Sequence, residues 1–177
     1  MRATSLTVAA LAAALLLTAC DSGGDDGDTG KSKDAKAAGG CVAELAVEFG
    51  PGNAAPAAGD TGNVPVTVTN RGDADCTLTG LPGVEFEAGG AATAVPADEA
   101  AGAAAAKQKT TLTKGATTSF TLTYVRGDKG LAVETAKVRL PGADKAQSFK
   151  WSYGEVALKS DGKTPDASLS GFQQAGD

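Results

Sequence analysis

The chain has 177 residues, with 16 Lys and Arg against 21 Asp and Glu, a formal charge of −5 and a pI near 4.8. That balance argues against a nucleic-acid binder, which needs a basic face to neutralise phosphates. The absence of His removes the commonest general base and metal ligand. Ala supplies 36 of the hydrophobic residues, and the larger types (no Ile among them) supply 38, eight of these within the first 20 positions. About 30 remain for a core, enough for one small domain.

Residues 1–19 read as an export signal: Arg2 supplies a positive start, and Leu6 to Leu17 is an uncharged apolar run. A helix of that length spans only ~18 Å, too short for a ~30 Å hydrocarbon core. Leu17-Thr18-Ala19-Cys20 resembles the bacterial lipobox. The resemblance implies cleavage between Ala19 and Cys20 and acylation of the Cys20 thiol. The protein would then be held by membrane lipid on the extracytoplasmic face of a bacterial cell membrane. Two acyl chains suffice for stable anchoring where one does not.

Residues 20–40 then form a tether. Asp21 to Gly40 is rich in Gly, Asp and Lys and carries no large apolar side chain, so it cannot bury enough surface to offset its ordering entropy. Such a segment has an r.m.s. reach of about 25 Å. Gly27 to Ser32 has the tail of a phosphate-binding loop, but Asp25 stands where its first Gly is required. The Asp run lacks the spacing of a calcium loop.

Residues 41–159 read as short strands. Cys41, Ala43, Leu45, Val47 and Phe49 alternate with Glu44 and Glu48. Ala54 to Gly62 reads as a loose small-residue loop. Val64, Val66 and Val68 form a second inward row, with Pro65 marking an edge or bulge at that strand's start. Further strands are expected at Cys76 to Leu78, Val84 to Ala88, Ser119 to Tyr124, Val133 to Leu140, Ser148 to Tyr153 and Glu155 to Lys159. Ala-rich 89–108 interrupts this rhythm as a marginal helix or flap, and 160–177 reads as a polar tail. Seven or eight short strands punctuated by turns indicate an all-β fold, an antiparallel β-sandwich.

Asn70-x-Gly72-x-x-x-Cys76-x-Leu78-x-Gly80-x-Pro82-Gly83 resembles the signature of the bacterial family called domain of unknown function 4232. Supporting pieces are Cys41, Leu112-x-x-Gly115 leading into Phe120-x-Leu122-x-Tyr124, and Val138-x-Leu140-Pro141. The resemblance spans roughly residues 41–158 and implies an immunoglobulin-like sandwich, mostly in actinobacterial exported proteins and lipoproteins, with no established activity. Cysteine parity agrees with it. Lipidation of Cys20 removes the odd thiol and leaves Cys41 and Cys76 to form a disulfide in an oxidising compartment.

The remaining motifs favour structure over chemistry. Arg71-Gly72-Asp73 and Arg126-Gly127-Asp128 fall in expected polar turns, where Gly and Asp are favoured for backbone reasons. Phe149, Trp151 and Tyr153 have core spacing, although a ligand-stacking platform would have the same period. Glu85 and Glu87 share an outward face. No catalytic group, cofactor or metal site is expected. The function indicated is a non-enzymatic binding or structural module of a lipid-anchored envelope protein, meeting a cell-wall polymer or an envelope protein. Its contacts are expected at the loops 50–63, 70–75 and 89–108. A sensor or accessory subunit of an envelope complex is the alternative. A small envelope enzyme or substrate-binding subunit fits the composition less well.

Overall fold

Period-two burial organises the chain. In the computed structural model, which describes residues 40–174, strand interiors alternate buried and open positions over most of their length. The expected signal, Ala19, Cys20 and the tether up to residue 39 lie outside the described residues. In chain order the strands are β1 (Leu45–Phe49), β2 (Thr61–Asn70), β3 (Cys76–Thr79), β4 (Gly83–Ala88) and β5 (Ala91–Ala94). After a short helix α1 (Glu99–Ala105) come β6 (Lys109–Leu112), β7 (Thr117–Leu131), β8 (Thr135–Arg139), β9 (Gln147–Lys150), β10 (Ala167–Leu169) and β11 (Gln173–Gln174).

Among the described residues every pairing of named strands is antiparallel, and an isolated bridge of Ala97 with Leu169 is parallel. One sheet runs β1-β2-β7-β10, with β11 also on β7; a second runs β5-β4-β8-β9, and β3 pairs β6 separately. The fold is thus the all-β antiparallel sandwich expected. Val64, Val66 and Val68 of β2 and Phe120, Leu122 and Tyr124 of β7 give the first sheet its inner face. Val84, Phe86, Ala136 and Val138 give the second sheet its own. Trp151 lies between them, with ring centroids 5.0 Å from Phe86 and 5.1 Å from Tyr124. Such edge contacts add about 0.5–1.5 kcal/mol each beyond area burial.

Several boundaries differ from expectation, each for a local reason. Residues Val42–Glu44 form a 3-10 turn, with the Glu44 amide donating to the Cys41 carbonyl at 3.0 Å. This turn rotates Val42 inward and leaves Ala43 exposed. The second strand starts at Thr61, so Pro65 lies within it. There Gly50 donates to the Pro65 carbonyl at 2.8 Å, just past the end of β1, so the ring's missing N–H costs no pairing to a neighbouring strand. Residues 89–108 are built into the sandwich instead of forming a flap. A Gly89-Gly90 turn, both residues with positive φ, returns β5 onto β4. Val95 is buried, and Leu169 N–H donates to the Pro96 carbonyl while Asp98 N–H donates to that of Leu169.

The Glu155 to Lys159 segment makes only isolated bridges, Val156 with Arg126 and Leu131, and Leu158 with Pro165. Here β7 runs longer than expected and carries Arg126-Gly127-Asp128 within it, so this tripeptide is strand and not turn. The sandwich also continues past Lys159. Leu169 and Phe172 are buried and β10 closes the free side of β7; Phe172 meets Phe120 edge-on at 5.8 Å.

Candidate functional site

Cys41 and Cys76 are joined, with Cα atoms 5.5 Å apart and a separation of 35 in sequence. The bridge fastens the turn ahead of β1 to the start of β3. Beside it lies the turn that carries the signature residues. Asn70 is buried, and its side-chain amide donates to the carbonyls of Ala74 at 2.9 Å and Leu112 at 2.8 Å. Its Oδ1 accepts from Gly72 N–H at 3.0 Å. A Cβ at Gly72 would press on the Glu44 carboxylate, the far end of an exposed side chain, which must shift to admit it. Gly80 takes φ +96°, a left-handed conformation that a side chain would strain. The Asn70 side chain and the Gly72 backbone are used in holding the scaffold, while Arg71, Asp73 and Asp75 are exposed.

At the far end of β2 the loop 50–63 is pinned, although its Ala and Gly content suggests looseness. The Tyr153 hydroxyl donates to the Gly50 carbonyl at 2.8 Å and accepts from Gly52 N–H at 3.3 Å. The Tyr124 hydroxyl accepts from Ala55 N–H at 3.2 Å, and Arg126 Nη1 donates to the Ala55 carbonyl at 2.9 Å. Loops 50–63 and 70–75 therefore sit at opposite ends of the ten-residue β2 and cannot form one surface. Sequence reasoning missed these pins, because Tyr and Arg hydrogen bonding to a loop leaves no periodic signal.

The possible stacking row is dismantled by the same packing. Trp151 is buried and donates Nε1–H to the Gly154 carbonyl at 2.6 Å; Phe149 stacks on Phe49 at 5.2 Å. Glu87 is paired with Lys137 at 3.0 Å, while Glu85 is exposed on the same outer face. Among the described residues, Asp161 has a displaced titration. Thr164 Oγ1, then the amides of Thr164 and Lys163, donate to its carboxylate and lower its pKa from 3.8 to about 2. This is an exposed loop cap, remote from any paired acid or base.

Two concavities among the described residues bear on a binding role. One of about 560 Å³ is open and lies between Ala105 and Gln108 on one side and Ser170 to Gln173 on the other. The second, about 290 Å³, has an apolar floor from Val42, Val138, Leu140 and Ala143, with Asp144 and Lys145 at its rim. Neither brings together a nucleophile, a base and an oxyanion donor.

These features define a disulfide-braced antiparallel sandwich with its signature residues at one end. The sequence model of the family described as Domain of unknown function (DUF4232) matches residues 41–172. The chain belongs to that family. The match reaches through Phe172, in keeping with a sandwich that runs on past Lys159. No curated protein and no solved structure matches the chain.

Proposed function

We propose that this chain is an extracytoplasmic lipoprotein, held in the membrane by acylated Cys20, whose sandwich is a non-catalytic binding module. The observation that carries the reading is the Cys41–Cys76 bridge. Structural disulfides persist in oxidising compartments and are rare in the cytosol. Leu17-Thr18-Ala19-Cys20 supplies an export and anchoring signal consistent with that compartment. An anchored module acts on what lies within reach of its tether, a cell-wall polymer or a neighbouring envelope protein.

Metabolic labelling with a palmitate analogue tests the anchor: the wild-type chain takes the label and partitions into detergent, and Cys20→Ala does neither. Equal labelling of the two refutes it. Cross-linking of the anchored protein in its own envelope tests the module. Reproducible capture of polymer or protein supports binding, and substrate turnover that disappears on mutating a single carboxylate refutes the non-catalytic reading.

A further inference from the structure

The edge strands of the two sheets are not protected alike. The free side of β10 is taken by the chain that follows β5, with Leu169 N–H donating to the Pro96 carbonyl at 3.0 Å and Asp98 N–H donating to that of Leu169 at 2.9 Å. β1 carries Glu48 and β9 carries Lys150, charges of the kind that discourage a further strand. β5, the edge beyond β4, has neither cover nor charge.

Register fixes which of its backbone groups are free. Val95 N–H donates to the Val84 carbonyl at 2.9 Å, and antiparallel pairs alternate between bonded and non-bonded, so Thr93–Phe86 and Ala91–Ala88 are bonded pairs. Ala92 and Ala94 therefore turn their N–H and C=O groups away from β4. Among the described residues no hydrogen bond reaches these groups, and both residues are exposed. Their methyls share the outer face with their cross-strand partners Glu87 and Glu85. Glu87 is paired with Lys137, whereas Glu85 is exposed and has no partner among the described residues. Glu99, exposed past the end of β5, adds charge of the same sign.

We infer that β5 takes up an extended, basic segment of a partner protein as an additional strand; this rests on the binding-module reading and names that module's surface and partner chemistry. Strand addition draws affinity from main-chain hydrogen bonds and specificity from side chains at alternate positions. A side chain opposite Ala94 lies two strand spacings, ~9.6 Å, from Glu85 on the same face. Only the Ala94 methyl stands between, so a Lys or Arg there reaches across it to the carboxylate. A second copy pairing through the same edge would instead bring the Glu85 and Glu87 rows of both copies together, like charge beside like.

The test uses the full chain in detergent with short fluorescein-labelled peptides, one alternating Lys and Thr and one alternating Glu and Thr. Fluorescence anisotropy should show saturable binding of the Lys peptide alone, with the amide resonances of Ala92 and Ala94 shifting as they gain acceptors. Ala92→Pro removes an outward N–H and leaves the pairing with β4 intact, so affinity should fall about tenfold at an unchanged unfolding midpoint. Ala94→Lys sets a like charge on the edge and should also weaken binding, which keeps the test decisive if the Pro variant misfolds. Glu85→Gln should cost about threefold at low salt and less at high salt, the scale of one exposed ion pair. Glu48→Gln, on β1, should bind like wild type. No saturable binding, equal binding of the two peptides, or unchanged binding by both edge variants overturns the inference. Self-association abolished by Ala92→Pro would assign the edge to a second copy and overturn it too. If envelope cross-linking captures a partner as well with Ala92→Pro as with wild type, this edge is wrong and the binding-module reading stands; capture of nothing by either defeats that reading itself.

Discussion

Asn70→Ala tests whether the signature turn holds the scaffold as its hydrogen bonds indicate. The side chain is 1% exposed and serves three backbone groups, two carbonyls and one N–H. Truncation leaves the Gly72 N–H buried without a partner, at about 1–3 kcal/mol, and takes one of two bonds from the Leu112 carbonyl, which keeps its ladder pairing with Cys76, at about 1 kcal/mol; Ala74, at an exposed position, regains water at little cost. The expected loss is therefore on the order of 3 kcal/mol, a large share of a typical 5–15 kcal/mol stability. Urea unfolding of the disulfide-intact protein, followed by Trp151 fluorescence, reads this as a lower midpoint at unchanged slope. Asn70→Asp sharpens the test. It retains the acceptor for Gly72 but sets a carboxylate against two carbonyl oxygens, so at neutral pH it should destabilise at least as much as Ala. A loss below about 1 kcal/mol for Asn70→Ala would refute the assignment, since that is the scale of one exposed hydrogen bond.

Other substitutions probe separate parts of the argument. Cys41→Ala opens a loop of 35 positions, and chain entropy puts the loss at about 4 kcal/mol, measurable by the same unfolding assay; a loss under about 1 kcal/mol would mean the bridge adds little. Gly62→Ala drives a Cβ into the Tyr124 ring and should cost about 1–3 kcal/mol. Gly102→Ala adds a methyl in open space within α1 and should stabilise by about 0.5–1 kcal/mol; the reverse order of these two midpoints would contradict the packing. Asp161, lowered to about 2 in the folded chain, favours folding above the ordinary carboxyl range, and that contribution fades as pH drops from about 4 to about 2. Its carboxyl carbon should titrate by NMR with a midpoint near 2, and a midpoint at 3.8 or above would remove the loop cap.

The strands that were legible in the sequence carry large side chains on one face only. Phe120, Leu122 and Tyr124 alternate with Ser and Thr because one side packs on the opposing sheet and the other meets water. β5 was not legible because Ala91 to Ala94 offers no contrast between faces, all its side chains being Ala or Thr. Its signal lay in Gly89-Gly90, whose two positive φ values suit a tight hairpin. β10 was obscured in the same way, since Leu169 is its one large apolar residue and the strand forms by completing the side of β7. The disulfide could be read from cysteine parity, whereas the pins on loop 50–63 depend on Tyr124, Arg126 and Tyr153, far away in sequence.

What the family signature encodes explains why membership names a frame and no activity. Asn70 organises a turn, Gly72 makes room for Glu44, Cys76 takes the bridge, Leu78 fills the core and Gly80 supplies a left-handed bend. Each of these residues is committed to the fold, and the exposed positions between them, Arg71, Asp73 and Asp75, are what the turn presents to a partner. Function on a sandwich must then come from groups the fold leaves free, on its outer faces and loops. Here loop 50–63 is tied down by two tyrosines and an arginine, and 89–108 is occupied with β5 and α1. The charged sheet face holds Glu87 against Lys137. Exposed groups such as Glu85 and Lys150 on that face, and the outward Ser and Thr of β2 and β7, remain open to contact.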